Sequence, residues 1–266
     1  MDFLVNGLKV FTNGNKTNRP IIFIHGFPYD HTMWDYQIEV LKENYYCISY
    51  DIRGLGQSYV GDGQYTMEAF VWDLYSLMDE LHIEKPIICG LSMGGYISFR
   101  AVEKEQNRFA GLILCDTRSE ADDNEGKIKR SNAIDKINVE SVEAFISDFV
   151  PACFHPKTPE RLSEVYNRIF DISKNQNPAG VKGALIAMLS RRDTTDSLKK
   201  IKIPTLILVG KKDALTPPKI MKKIAKKIKN SEFHKVPKAG HMTPLENPEF
   251  VNKKIKRFIE KNFKND

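Results

Sequence analysis

Five short segments of this chain open on apolar runs rich in β-branched residues and close on glycine or aspartate: PIIFIHG (20–26), YYCISYD (45–51), PIICG (86–90), AGLILCD (110–116) and IPTLILVG (203–210). A strand with one wet face alternates apolar and polar residues. These do not alternate, so they read as strands covered on both faces, the habit of a parallel sheet. Stretches with helical spacing follow them: TMWDYQIEVLK (32–42), MEAFVWDLYSLMDELH (67–82), MGGYISFRAVEKE (93–105), PPKIMKKIAKKIK (217–229) and PEFVNKKIKRFIEKNF (248–263). Strand then helix, repeated, is the pattern of an α/β fold: a mostly parallel twisted sheet with helices on both faces. EFHKV (232–236) adds a further strand, and FLVNG with LKVF reads as an N-terminal hairpin.

The rhythm fails between 117 and 202. That stretch has no strand pattern and carries helical ones, SVEAFISDFV (141–150) and PAGVKGALIAMLSRR (178–192). The expected organisation is a core of residues 1–116 and 203–266, interrupted by an α-helical cap over 117–202. At 266 residues the chain is long enough for one such core. No apolar run reaches the roughly 18 residues of a membrane span, and the N-terminus lacks the basic start and apolar stretch of a secretory leader. The four cysteines, Cys47, Cys89, Cys115 and Cys153, form no C-x-x-C pair. They read as buried thiols in a reducing compartment, so the protein is expected to be cytoplasmic, with no disulfide, metal or cofactor. The net charge of +6 owes much to PPKIMKKIAKKIKN. There Ile220, Ile224 and Ile228 recur at every fourth residue with lysines between, the mark of an amphipathic helix with a solvated face rather than of a nucleic-acid or membrane surface.

In an open parallel sheet, ligands gather at the carboxyl ends of the strands. One such end carries GLSMG (90–94), a serine between two glycines at a strand-to-helix turn. A nucleophile raised on a strained turn needs that pattern, because the glycines let neighbouring backbone approach without a Cβ. Ser92 is therefore the candidate nucleophile. A serine hydroxyl needs a base, and His241, in the loop between the last strand and the last helix, stands where the chain order Ser, Asp, His puts it. Asp213, just beyond TLILVG, is the expected orienting acid. Asp116, at the end of another strand, is its rival, expected instead to anchor the insertion. The amides of Phe27 and Met93 are the candidate oxyanion donors, with His25 holding the Phe27 loop by hydrogen bonds. Phe145, Phe149, Leu215 and Met242 are candidate pocket residues, although the spacing of the two phenylalanines equally suits the core of the cap. DIRGLGQS (51–58) lacks the third glycine or lysine of a phosphate loop and reads as a buttress for the site.

Together HGFP (25–28), D-x-R-G-x-G-x-S (51–58), G-x-S-M-G-G (90–95), the aspartate after LILVG and G-H-M-x-P-x-E-x-P (240–248) resemble the α/β-hydrolase superfamily over nearly the whole chain. LCDTRSEAD followed by EGKIKR resembles the cap entry of carboxylesterase and 3-oxoadipate enol-lactonase-like members. The resemblance implies a serine esterase with a catalytic triad of Ser92, Asp213 and His241, an oxyanion hole at Phe27 and Met93, and an acyl-enzyme. The apolar residues near the site suggest a small, largely apolar ester. Arg118 and Arg191–Arg192 keep a carboxylate-bearing enol-lactone open, and hydrolysis of a carbon–carbon bond in a diketone is a further option. A ligand-binding receptor on the same fold is the non-enzyme alternative. The expected partner is a small-molecule ester or lactone, with no nucleic acid or membrane; a homodimer stays open.

Overall fold

The computed structural model describes residues 1–263; the last three residues of the 203–266 segment lie outside the described residues. The chain begins with β1 (Asp2–Val5), β2 (Leu8–Asn13) and β3 (Pro20–Ile24), then α1 (Asp35–Leu41) and β4 (Tyr46–Tyr50). Next come α2 (Met67–Glu80), β5 (Ile87–Leu91), α3 (Met93–Glu105) and β6 (Gly111–Cys115). Five helices follow: α4 (Asn124–Val139), α5 (Val142–Cys153), α6 (Thr158–Arg161), α7 (Ser163–Lys174) and α8 (Pro178–Leu189). The chain closes with β7 (Thr205–Gly210), α9 (Pro218–Lys227), β8 (Ser231–Val236), α10 (Thr243–Glu246) and α11 (Pro248–Asn262).

The eight strands form one sheet in the order β1-β2-β4-β3-β5-β6-β7-β8. The N-terminal hairpin and the β2–β4 pair are antiparallel, and every pair from β4–β3 to β7–β8 is parallel. The expected α/β class is therefore the observed one. The unbroken apolar runs explain why: β4, β5, β6 and β7 are buried at every residue. The edge strand β8 has mixed exposure, as a strand open on one side should.

Local signals set the helix starts. Thr66 caps α2 by accepting from the Ala69 amide, Asp123 caps α4 through Gly126, and Ser141 caps α5 through Ala144. The lysine-rich α9 buries Met221 and Ile224 against the core, as does Ile228 just past its end, while Lys222, Lys223, Lys226 and Lys227 are exposed. Among the described residues, no helix is long and apolar enough to cross a membrane. All four cysteines are buried free thiols.

Candidate active site

The turn between β5 and α3 holds Ser92 at φ +52° and ψ −111°, a backbone conformation that a non-glycine residue adopts only under constraint. The constraint is visible. The Ser92 amide donates to Cys115 O at 3.0 Å, and the Thr117 hydroxyl donates to Ser92 O at 2.8 Å, so β6 braces the turn from one side. The flanking glycines permit the close packing: a Cβ on Gly90 would sit 2.4 Å from Gly94 O, and one on Gly94 would sit 2.2 Å from Ile24 O. On the other side lies the loop after β3. A Cβ on Gly26 would fall 2.7 Å from the Leu91 side chain and 3.4 Å from Ser92 Cβ, which places the amide-bearing loop directly beside the serine.

His25 fixes that loop. Its Nε2 accepts from the Ile52 amide at 2.9 Å, so the proton is on Nδ1, which donates to Gly26 O at 2.8 Å. Burial pushes the pKa of this imidazole down and keeps it in that neutral form. The 51–58 stretch folds on its own aspartate. Asp51 accepts from the His31 amide and ring and from the Gln57 amide, while Arg53 pairs with Asp73. Its Ile52 amide holds His25 and its Gly56 amide donates to Gln176 Oε1 at 2.8 Å, so the stretch supports the loop that bears Phe27. Among the described residues, the amides of Phe27 and Met93 donate to no protein group. Met93 opens α3, so its N–H is one of the four that a helix leaves unpaired.

His241 is 3% exposed and its Nδ1 lies 2.9 Å from Asp213 Oδ2. A carboxylate oxygen only accepts, so Nδ1 carries a proton, and in the neutral ring the lone pair is on Nε2. Asp213 is saturated. Oδ1 accepts from the Leu215 and Thr216 amides, each at 2.9 Å, and Oδ2 accepts from the Thr216 hydroxyl at 2.6 Å as well as from His241. Burial alone would raise the pKa of this carboxyl; the facing His241 charge and the hydrogen bonds from His241 and Thr216 outweigh it and hold the value at about 2.

That depression has a measurable consequence. A carboxyl held at about 2 in the fold against an ordinary 3.8 stabilises the folded state above the higher value, and the stabilisation fades as pH falls through the lower one. Unfolding free energies should therefore drop between about pH 4 and pH 2 by about 2 kcal/mol more in the native protein than in Asp213→Asn. Equal losses in the two proteins would contradict this origin.

Asp116, the rival acid, is fully buried and does not reach the imidazole with a hydrogen bond. Its Oδ1 accepts from the Gly210 amide at 2.8 Å and its Oδ2 pairs with the Thr243 hydroxyl. It thus ties β6 to the end of β7 and to the loop after His241, and not, as the sequence suggested, to the insertion. Burial first, and the neighbouring Asp213 charge second, push its pKa well above the usual carboxylate range. Asp116, Asp213 and His241 bring oxygen and nitrogen atoms within 4.8 Å of one another. Those carboxyl oxygens already engage protein donors, so the cluster is a hydrogen-bonded network.

Ser92 and His241 open into one cleft of about 430 Å³. Its apolar walls are Phe27, Tyr96, Phe145, Phe149, Leu185 and Leu215. Phe27 packs on Phe145 and Phe149 at centroid distances of 6.1 and 5.7 Å, so the two helix α5 rings serve both as packing and as lining. Among the described residues, no group hydrogen-bonds Ser92 Oγ; the hydroxyl is open to the cleft. Met242 is elsewhere: it is completely buried in the core and does not line the cleft. Sequence reasoning missed Tyr96, one helical turn after Ser92 on α3, and Thr216, whose D-x-x-T spacing from Asp213 is a local capping signal. A larger, polar groove of about 1180 Å³ lies at the amino ends of β3, β4 and β5; its lining holds His82 but no serine or cysteine for a base to activate.

A mostly parallel sheet of this order, with a serine on its central strand-to-helix turn and a histidine after its last strand, is the α/β-hydrolase architecture. The chain belongs to that family, whose model, described as alpha/beta hydrolase fold, matches residues 19–248. It is similar to the structure of a thermophilic esterase from Thermogutta terrifontis (malate bound), at 38% identity and a TM-score of 0.92, covering 96% of this chain and 93% of that one. It is also similar to 3-oxoadipate enol-lactonase 1 of Acinetobacter baylyi, 27% identical over 242 residues, with 91% of this chain and 89% of the relative covered. The AB hydrolase superfamily protein YisY of Bacillus subtilis is 29% identical over 267 residues, with 94% and 95% covered.

Proposed function

We propose that this α/β hydrolase is a serine esterase that cleaves a carboxylic ester of a small, largely apolar substrate through an acyl-enzyme. The observation that carries the reading is the shared cleft: Ser92 and His241, the latter held by the buried Asp213, line one space with an apolar wall beside two uncommitted amides. In this mechanism His241 Nε2 takes the Ser92 proton as Oγ attacks the carbonyl. The Phe27 and Met93 amides receive the oxyanion, and His241 returns the proton to the leaving alcohol. Water, activated by the same imidazole, then releases the acid. Asp213 holds the tautomer and stabilises the imidazolium. Residues 117–202 act as a cap whose α4, α5 and α8 close the cleft. The substrate is a small molecule rather than a nucleic acid or membrane, and buried free thiols fit a cytoplasmic setting. A panel of esters, lactones and diketones offered to the native protein tests the class: turnover confined to diketones would overturn the ester reading, and tight binding without turnover would favour the receptor.

One observation favours a second reading, an anionic ester or enol-lactone. Arg118 lines the cleft, and its Nη2 donates to Leu215 O at 2.9 Å. The nearby Arg130 and Arg191 are both paired with Asp122, whereas Arg118 has no carboxylate partner among the described residues. A half-buried guanidinium without a carboxylate partner is a natural seat for a substrate carboxylate. Arg118→Ala should then lower kcat/KM about 10- to 100-fold for the hemi-ester of a short dicarboxylic acid, with the neutral diester nearly unaffected. Equal effects on the two substrates would remove the anionic reading and leave the apolar one.

A further inference from the structure

The glutamate of the G-H-M-x-P-x-E-x-P stretch has no part in the mechanism above, yet it is 4% exposed and makes four contacts. Its two oxygens face different parts of the chain. Oε1 accepts from the His155 amide at 2.7 Å and from the Thr158 hydroxyl at 2.5 Å, both just past the end of α5. Oε2 accepts from the Gly240 amide at 2.6 Å and the Met242 amide at 3.3 Å, which flank His241. All four contacts are donors, matching a group that only accepts. The two parts also touch directly. The His241 amide donates to Cys153 O at 2.7 Å, and a Cβ on Gly240 would lie 2.5 Å from His155 N. The same α5 carries Phe145 and Phe149 into the cleft.

We propose that Glu246 is a positioning residue: it locks the end of α5 to the turn bearing His241, so that the cleft wall and the base are set in place together. The inference rests on the reading of Ser92 and His241 as nucleophile and base. Substituting Glu246→Gln keeps size and removes the match. Whichever way the amide turns, its NH2 faces a backbone N–H, of His155 on one side or of Gly240 and Met242 on the other. The turn must then shift, and a base displaced by a fraction of an ångström loses rate.

The test measures kcat and KM on a chromogenic short-chain ester, and the rate of Ser92 labelling by a fluorophosphonate, which needs no knowledge of the natural substrate. Glu246→Gln should lower kcat and the labelling rate about 10- to 100-fold, with KM within about threefold. In a His241→Ala background the same change should alter the residual rate less than about twofold, because residues acting as one unit are not additive. Thr158→Val, which removes only one donor on the α5 side, should show the same pattern at smaller size and serves if Glu246→Gln does not fold. An unchanged kcat, or an equal loss with and without His241, would overturn the proposal. A native protein that is labelled at Ser92 but hydrolyses no ester would instead overturn the esterase reading and leave the positioning test intact.

Discussion

Replacing Ser92 by alanine should reduce kcat/KM for a short-chain ester by about 10⁴- to 10⁶-fold and abolish fluorophosphonate labelling, with thermal stability changed little. The size follows from what the hydroxyl does. In the proposed mechanism no acyl-enzyme forms without it, and the acceleration left would come only from the two amides and from binding, about 10³- to 10⁴-fold over water. The small effect on stability follows from the geometry. Among the described residues Ser92 Oγ has no hydrogen-bond partner, while the turn is held through backbone atoms, the Ser92 amide to Cys115 O and the Thr117 hydroxyl to Ser92 O. Alanine keeps both bonds and must still adopt φ +52°. A variant that folds like the native protein and retains its esterase rate would show that the chemistry resides elsewhere.

The serine turn was legible in the sequence because its signature is local, although the groups that brace it are not. Five residues, a preceding apolar run and a following helix specify it. The parallel sheet was legible for a related reason: unbroken apolar strands have few other stable settings. The buried His241–Asp213 pair needed one further step, the rule that strand ends of a parallel sheet converge, and the two residues do meet at 2.9 Å. Chain adjacency was a poorer guide than strand position. Met242 follows His241 but is completely buried in the core and does not line the cleft. Leu215, two residues after Asp213, does reach the cleft, since the Asp213 side chain folds the intervening turn back on itself. Glu246 illustrates a third case. Its four donors come from positions 155, 158, 240 and 242, so its role depends on where α5 ends relative to a turn some 90 residues later, which no local pattern encodes. The helices α6 and α7 were equally silent; they are short or flanked by charged residues, and their place is set by packing.

The second large effect separates two neighbouring carboxyls. Asp213→Asn should lower kcat about 10⁴-fold, whereas Asp116→Asn should change it by no more than a few-fold. Both are buried side chains near His241, so exposure does not distinguish them. Their hydrogen bonds do. Asp213 meets four donors, and an asparagine there must turn one N–H toward another donor. With its NH2 against Nδ1, the imidazole must accept at Nδ1 and carry its proton on Nε2, the atom proposed to take the Ser92 proton, where it cannot take a second. Flipping the amide only moves the conflict to the Leu215 and Thr216 amides. Asp116, by contrast, meets only two groups, the Gly210 amide at Oδ1 and the Thr243 hydroxyl at Oδ2, and a hydroxyl can accept as well as donate. An asparagine keeps both contacts: Oδ1 accepts from the Gly210 amide, and Nδ2 donates to the Thr243 oxygen once that hydroxyl turns its proton away. The pair of variants therefore reads out which carboxyl the base depends on. If Asp116→Asn costs as much as Asp213→Asn, the charge is shared across the network and the simple division of labour between the two strands is wrong. If Asp213→Asn is nearly neutral, His241 draws its orientation from another group, and Thr216, 3.2 Å from Nδ1, is the next to replace.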